Sequence, residues 1–315
     1  MDAYALGIAT NVALLAFLAV SNYVLLKAGC MSFGQQAFFG IGAYAGAMAT
    51  ALWHWPLWLA LPLAAVLGAC ANAAFARAMF RLDGLEFSLA TLALAETVRI
   101  AFELFRLPPG AEEGPAGPQG SDGFGGIRWW LDQGLDPNQF TLLVCALLAA
   151  MLWALRCIEQ SNHGLALRAV GRDPLLAAAA GIDPRRMRVQ ATAVAGAIAA
   201  LGGALYAHHA TYIEPRNFDI MLGIHALSYA LIGGLGTVLG PLLGVAVDVV
   251  LLEGSRMLGA YRMIAFGALV AVLLIVRPRG LLDEDTVQRI VARLPFKTRR
   301  PAPVRAADAS SLETP

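Results

Sequence analysis

Leu222 to Leu252 reads LGIHALSYALIGGLGTVLGPLLGVAVDVVLL, an apolar run of about 31 residues broken at its middle by Gly233-Gly234-Leu235-Gly236-Thr237-Val238-Leu239-Gly240-Pro241. About 20 helical residues cross the hydrocarbon core of a bilayer, so the run is too long for one untilted span and short for two full ones. Pro241 lacks an amide donor, and the glycines free backbone groups that lipid cannot satisfy. Two half-length helices, or a re-entrant hairpin, buried among other helices reconcile these facts.

The rest of the chain supplies those other helices. Of 315 residues, 58% are hydrophobic and 14% charged, against roughly 25% charged in a soluble domain. With a mean hydropathy of +0.63, the polar surface that a soluble chain of this size needs is missing. A net charge of +1 gives no global attraction for nucleic acid. Cys30, Cys70, Cys145 and Cys157 stand singly in or beside apolar runs without metal-type or redox-type pairing, and read as small packing residues. Met1-Asp2-Ala3-Tyr4 lacks the positive region of a cleaved signal, so the first helix is expected to be retained.

Runs of spanning length cover Ala3 to Leu26, Gly34 to Trp53, Pro56 to Phe80, Leu85 to Phe105, Phe140 to Leu155, Val189 to His208, the broken Leu222 to Leu252 and Met257 to Val276. The segment Leu107 to Pro137, rich in proline, glycine and acids, belongs outside the bilayer. Arginines collect between Arg156 and Arg188, and again from Arg277 to Arg300; basic loops stay in the cytoplasm. Lys27, Arg77 and Arg81 mark further cytoplasmic turns, which puts the N-terminus outside, residues 107–137 on the trans side and the C-terminus inside. The expected fold is an all-α polytopic membrane protein of about 8 to 10 transmembrane or half-membrane helices. Its membrane domain covers 1–282, with a cytoplasmic loop at 156–188 and a disordered, basic cytoplasmic tail at 283–315.

Gly29 to Gly46 has the look of the broken run: Gly29, Gly34, Gly40, Gly42 and Gly46 surround Ser32, Gln35 and Gln36. Interrupted, glycine-rich segments in two parts of a chain point to a translocation pathway. Ser32, Gly34, Gln35, Gln36, Gly40, Glu96, Gly233, Gly234, Gly236 and Thr237 are its candidates. Close helix packing is the competing reading of each glycine.

The cytoplasmic loop carries every signal for one short helix. Asp173 can cap it, Pro174 suits its first position, Ala177 to Ala180 favour it, and Gly181 suits a left-handed stop with Ile182 behind. Two turns cannot stand alone in water. The apolar face, rimmed by Arg168 and Arg172, suits a groove on a partner subunit; the alternative is a connector lying on lipid headgroups.

The chain has no phosphate-binding loop, since Lys27 precedes Ala28 and Lys297 follows Phe296, and no H-E-x-x-H or G-x-S-x-G motif. His208 and His209 point about 100° apart on a helix, poor for one metal, and read as a solvated interfacial pair. Glu96, Arg99 and Glu103 share a helix face, where Arg99 can neutralise either acid; a structural ladder is favoured over a proton relay. Asp248 and Glu253 are covered by pairing with Arg256 and Arg262 or by snorkelling.

Met31-Ser32-Phe33-Gly34-Gln35-Gln36-Ala37-Phe38-Phe39-Gly40-Ile41-Gly42-Ala43-Tyr44 resembles a segment of the LivM-type permeases of branched-chain amino acid ABC transporters. Thr91 to Arg99, Gly181-Ile182, Gly202 to Ala207, Gly233 to Pro241 and Arg277-Pro278-Arg279-Gly280-Leu281-Leu282 are similar to that family in order and spacing. The resemblance implies a type II ABC importer-like bundle in the bacterial inner membrane, without covalent chemistry and with no cofactor of its own. It implies two ATP-binding cassette subunits that use ATP, a second homologous permease forming a heterodimer, and a periplasmic solute-binding protein. Arg168, Arg172, Asp173, Pro174, Ala177, Gly181 and Ile182 would then couple the bundle to the ATPase. The solute would be a branched-chain amino acid or a related small polar molecule.

Two rival readings come from other classes. An ion-coupled carrier would use Glu96, Asp248 or Glu253, and an intramembrane hydrolase would use His208 or His209.

Overall fold

The computed structural model describes residues 3–79, 81–82, 84–107, 117–134, 136–254, 262–277 and 280–282. Arg256, Arg279, the stretch 108–116 and the tail 283–315 lie outside the described residues, as does the side chain of Glu253. Twelve α-helices are present among the described residues: α1 (Ala3–Lys27), α2 (Gln35–Ala51), α3 (Leu57–Ala78), α4 (Leu85–Leu104), α5 (Trp129–Asp132), α6 (Pro137–Gln160), α7 (Asn162–Arg172), α8 (Pro174–Ala179), α9 (Pro184–Ala210), α10 (Ile220–Gly233), α11 (Gly240–Gly254) and α12 (Arg262–Val276). The chain is an all-α polytopic membrane protein. α1, α3, α6 and α9 are each long and apolar enough to cross a bilayer unaided.

α9 is the axis of the bundle, packed against α1, α2 and α3. Its inner faces are lined by Gly196, Ala200, Gly202, Gly203 and Ala204, all but Ala200 and Ala204 without a side chain. Without a water-driven hydrophobic force between helices in lipid, close backbone approach supplies the attraction. A Cβ on Gly203 would overlap the Phe39 carbonyl oxygen, one on Gly42 would overlap Ala200, and one on Gly196 would overlap the Gly68 carbonyl oxygen. On the α1 side, a Cβ on Gly202 would lie 2.5 Å from that of Phe17. Here the packing reading of the glycines accounts for what is seen.

The broken run forms two half-length helices, α10 and α11, one of the two arrangements its length and break allowed. A Cβ on Gly233 would overlap the Gly240 carbonyl, and one on Gly244 the Tyr229 carbonyl, so the helices touch through bare backbone. The freed groups of the break are taken up by the chain beyond α12. Leu281 N donates to Ile232 O at 2.9 Å, Leu282 N to Gly233 O at 3.0 Å, and Gly236 N to Leu282 O at 3.0 Å. Gly234, at φ +88°, and Gly280, at φ +79°, make the crossing possible, each in a backbone conformation closed to most side chains.

Several expectations change in detail. α6 runs from Pro137 to Gln160, longer than Phe140 to Leu155, because Pro137 opens it and Gln139 Oε1 accepts from Asp136 N at 3.1 Å. Within 107–137, Phe124–Gly125 (β1) pairs antiparallel with Tyr212–Ile213 (β2), and Tyr212 OH donates to the Asp122 carbonyl at 2.9 Å. Residues 122–127 are thus folded against the chain that leaves α9. Cys30 is buried, but Cys70, Cys145 and Cys157 are exposed on the outer faces of their helices. His208 is fully buried, not solvated: its Nδ1 lies 2.7 Å from the Ala204 carbonyl and so donates, leaving Nε2 to accept from Thr50 Oγ1 at 3.0 Å. Asp248 is buried as well, accepting from Tyr229 OH at 2.6 Å rather than reaching the interface.

Gly203→Val should destabilise the detergent-solubilised protein by about 3 kcal/mol or more by forcing α2 from α9. Gly7→Ala, where nothing lies within 4 Å, should stay within about 0.5 kcal/mol. Thermal unfolding followed by intrinsic fluorescence compares the two.

Candidate functional site

Two places in the fold hold the residues singled out from the sequence. The first is the basic end. α7, unforeseen as a separate helix, folds back from α6 because Gly164 lets it cross the Glu159 backbone; a Cβ there would sit 2.5 Å from the Glu159 Cα. Arg168 Nη2 donates to the Glu159 carbonyl at 2.6 Å, and Tyr23 OH donates to Glu159 Oε1 at 2.6 Å, tying this corner to α1. Gly171 lies against the Lys27 carbonyl and Gly29, so the end of α7 rests directly on the end of α1.

α8 is built as its residues dictate. Asp173 Oδ1 accepts from Leu175 N and Leu176 N, both at 3.0 Å, and Pro174 fills the first position, where no donor is needed. Gly181, at φ +83°, stops the helix: Ile182 N donates to Ala177 O and Gly181 N to Ala178 O, both at 3.0 Å. Asp183 then caps α9 through Arg185 N and Arg186 N, at 3.0 and 3.3 Å. Ala177 is buried against the protein, while Leu175 and Leu176 are 85% and 68% exposed. Arg77, Arg185 and Arg186 line one cleft beside this hairpin. The result is a rigid, doubly capped projection with two leucines at its tip and arginines around its base.

The second place is the break before α2. Ser88 Oγ donates to the Met31 carbonyl at 3.1 Å and Phe33 N donates to Thr91 Oγ1 at 3.1 Å, pinning residues 31–33 to α4. Ser32 Oγ accepts from Gly34 N at 3.2 Å and faces Gln35 Nε2 at 3.5 Å. Gln35 and Gln36 are 1% and 0% exposed, yet Gln35 Oε1 and both amide atoms of Gln36 have no hydrogen-bond partner. Leaving such a group unpaired costs about 1–3 kcal/mol. One turn further, Gly40 faces the rings of Phe102 and Phe218, and Tyr44 stacks on Phe102 with centroids 4.2 Å apart.

Ser32, Gly34, Gln35, Gln36 and Gly40 are therefore together. Gly233, Gly234, Gly236 and Thr237 stand elsewhere, at the α10–α11 joint. α10 passes Gln36 at Gly223 and reaches Gly233 ten residues later, about 15 Å along the helix. Glu96 lies on a half-exposed face of α4 in the expected ladder: Arg99 Nε is 3.0 Å from both Glu96 oxygens, and Arg99 Nη1 pairs with Glu103. Gly223 and Phe218 were not among the candidates. Gly223 sits unmarked in an apolar helix, and the residue it meets lies far away in the chain.

The model of the family described as branched-chain amino acid transport system / permease component matches residues 4–276. The high-affinity branched-chain amino acid transport system permease protein LivM of Escherichia coli K12 is 27% identical over 284 residues, 83% of this chain and 65% of LivM. The corresponding LivH protein of Salmonella typhimurium is 29% identical over 143 residues, 45% of this chain and 46% of LivH. A nucleoside ABC transporter permease protein, NupB, of Lactococcus lactis is 27% identical over 107 residues, 33% of this chain and 29% of NupB. The chain thus spans 65% of the length of the LivM relatives. No solved structure matches it.

Arg99→Leu leaves Glu96 and Glu103 half-buried without their cation and should cost about 1–2 kcal/mol, discounted from a buried pair for partial exposure. Replacing all three by Gln should restore most of it. Thermal unfolding of the two variants checks the ladder.

Proposed function

Because the chain belongs to the family of permease components of branched-chain amino acid transport systems, we propose that it is the membrane-spanning subunit of an ABC importer. The cargo is a branched-chain amino acid or a related small polar solute, moved across the bacterial inner membrane. A separate ATPase subunit supplies the energy. The observation that carries this reading is α8, a capped helix that presents Leu175 and Leu176 to the outside.

A leucine moved from water into a groove gains about 1.5–3 kcal/mol. Two leucines on a helix held rigid by Asp173, Gly181 and the Gly171 contact bind with little ordering left to do. In this reading α8 seats in a groove on an ATP-binding cassette subunit, and Arg168, through Glu159, transmits its position to α1. ATP-driven closure of two such subunits draws together this chain and a second, homologous permease. To carry a bundle from 99:1 in favour of one orientation to the reverse, closure must favour the new state by about 5.5 kcal/mol. A periplasmic solute-binding protein delivers the cargo to the face bearing β1 and β2.

In this reading the basic end, with the arginines around α8, Lys27 and Arg77, faces the cytoplasm, as the preference of basic loops for that side supports. The start of α1 then lies outside and the end of α12 inside. The chain itself does no covalent chemistry, and ATP is used by its neighbour.

Leu175→Asp with Leu176→Asp should lower ATP-dependent uptake at least tenfold, with the protein still inserted in the membrane at normal abundance. Asp173→Ala, which removes the cap, should lower it less. Uptake into intact cells, with immunoblots of the membrane fraction, decides; unchanged uptake in the double variant would remove α8 from the coupling route.

A further inference from the structure

Gln36 is the residue that packing does not explain. It is fully buried at the start of a helix whose N-cap, Gly34, offers no side-chain acceptor, and both ends of its amide lack a partner. Its neighbour Gln35 is equally buried, with Oε1 unpartnered. An apolar side chain of the same volume in place of Gln36 would leave two fewer polar atoms unpaired. The amide lies flush on Gly223 of α10, where a Cβ would overlap Gln36 Oε1. α10 is a half-length helix tied at its far end by the Gly280–Leu282 segment and packed on α1 and α11. Toward the opposite face, Phe218 and Phe102 close over Gly40.

We propose that the Gln35 and Gln36 amides contact the solute as it crosses the bundle, and that the Gln36–Gly223 contact is the closed seam that parts to admit it. This rests on reading the chain as a transport permease. The groups at the seam are neutral: two amides, the Ser32 and Thr91 hydroxyls and the Phe33 carbonyl. Such a set hydrogen-bonds a small solute of no net charge without a Coulombic well to hold it, and a pathway must release what it binds. Parting the seam exchanges unpaired amide atoms for bonds to solute and water, so the open state is favoured where the closed one is deficient.

Two measurements test this on the assembled transporter. Gln36→Leu, with Gln36→Met as the alternative should the first not fold, keeps the volume and removes the polar atoms. It should leave thermal stability equal or higher and lower L-leucine uptake at least tenfold. Gln36→Cys, in a chain whose four native cysteines are replaced, should react with a small water-soluble methanethiosulfonate at rates differing at least fivefold between nucleotide-free and vanadate-trapped complexes. Wild-type uptake in the Leu variant, or a cysteine that is unreactive in both states, overturns the assignment. Failure of the transporter reading looks different: L-leucine uptake by the unsubstituted protein is then absent or survives ATP depletion, before any Gln36 variant is compared.

Discussion

Backbone-to-backbone contact around α9 is the constraint on which the rest of the molecule depends. In hydrocarbon a helix gains nothing by hiding leucine from its surroundings, so attraction must come from surfaces that approach closely. Gly196, Ala200, Gly203 and Ala204 let α2 and α3 touch α9 along its length, through Gly42, Gly46 and Gly68. The Thr50–His208 hydrogen bond reinforces the α2–α9 contact at the end of α9 remote from α8. This seam fixes α2, and the position of α2 fixes where Gln35 and Gln36 stand.

The two regions of interest differ in how they are held. α8 is capped at both ends and follows directly on α7, whose Gly171 lies against the Lys27 carbonyl and Gly29 at the end of α1, so α7 links α8 to α1. α10 and α11 are joined to each other and to the Gly280–Leu282 segment at one end, while at the other α10 lies on the start of α2, where Gly223 meets Gln36 and the Phe33 carbonyl. A stiff input and a seam with unpaired polar atoms are the parts a two-state transporter needs, because a ligand shifts an equilibrium only by its differential contact with the two states.

Much of this was legible in the residues, and the exceptions have physical causes. The length of Leu222 to Leu252 and its break narrowed the run to two half-helices or a re-entrant hairpin, since lipid cannot satisfy the backbone groups that the glycines and Pro241 free. α8 followed from Asp173, Pro174 and Gly181, whose effects are local. α7 did not, because Asn162 to Arg172 has a polar average and its helicity depends on Gly164 and Gly171 meeting Glu159 and Lys27. The role of Gly280 to Leu282 in closing the glycine break, and the meeting of Gly223 with Gln36, are contacts between distant parts of the chain. His208 and Asp248 were misplaced for the same reason: the partners that bury them, Thr50 and Tyr229, leave no mark beside them in the sequence.

The central claim is that a separate nucleotide-hydrolysing subunit grips α8. A photoreactive amino acid placed at Leu175 of the assembled transporter in inverted membrane vesicles tests this most directly, with Trp58, exposed on α3, as the control position. The account predicts an adduct between this chain and the ATPase subunit from position 175, sensitive to bound nucleotide, and none from position 58. Adducts from position 175 with lipid alone, in vesicles whose uptake is driven by ATP, would contradict it.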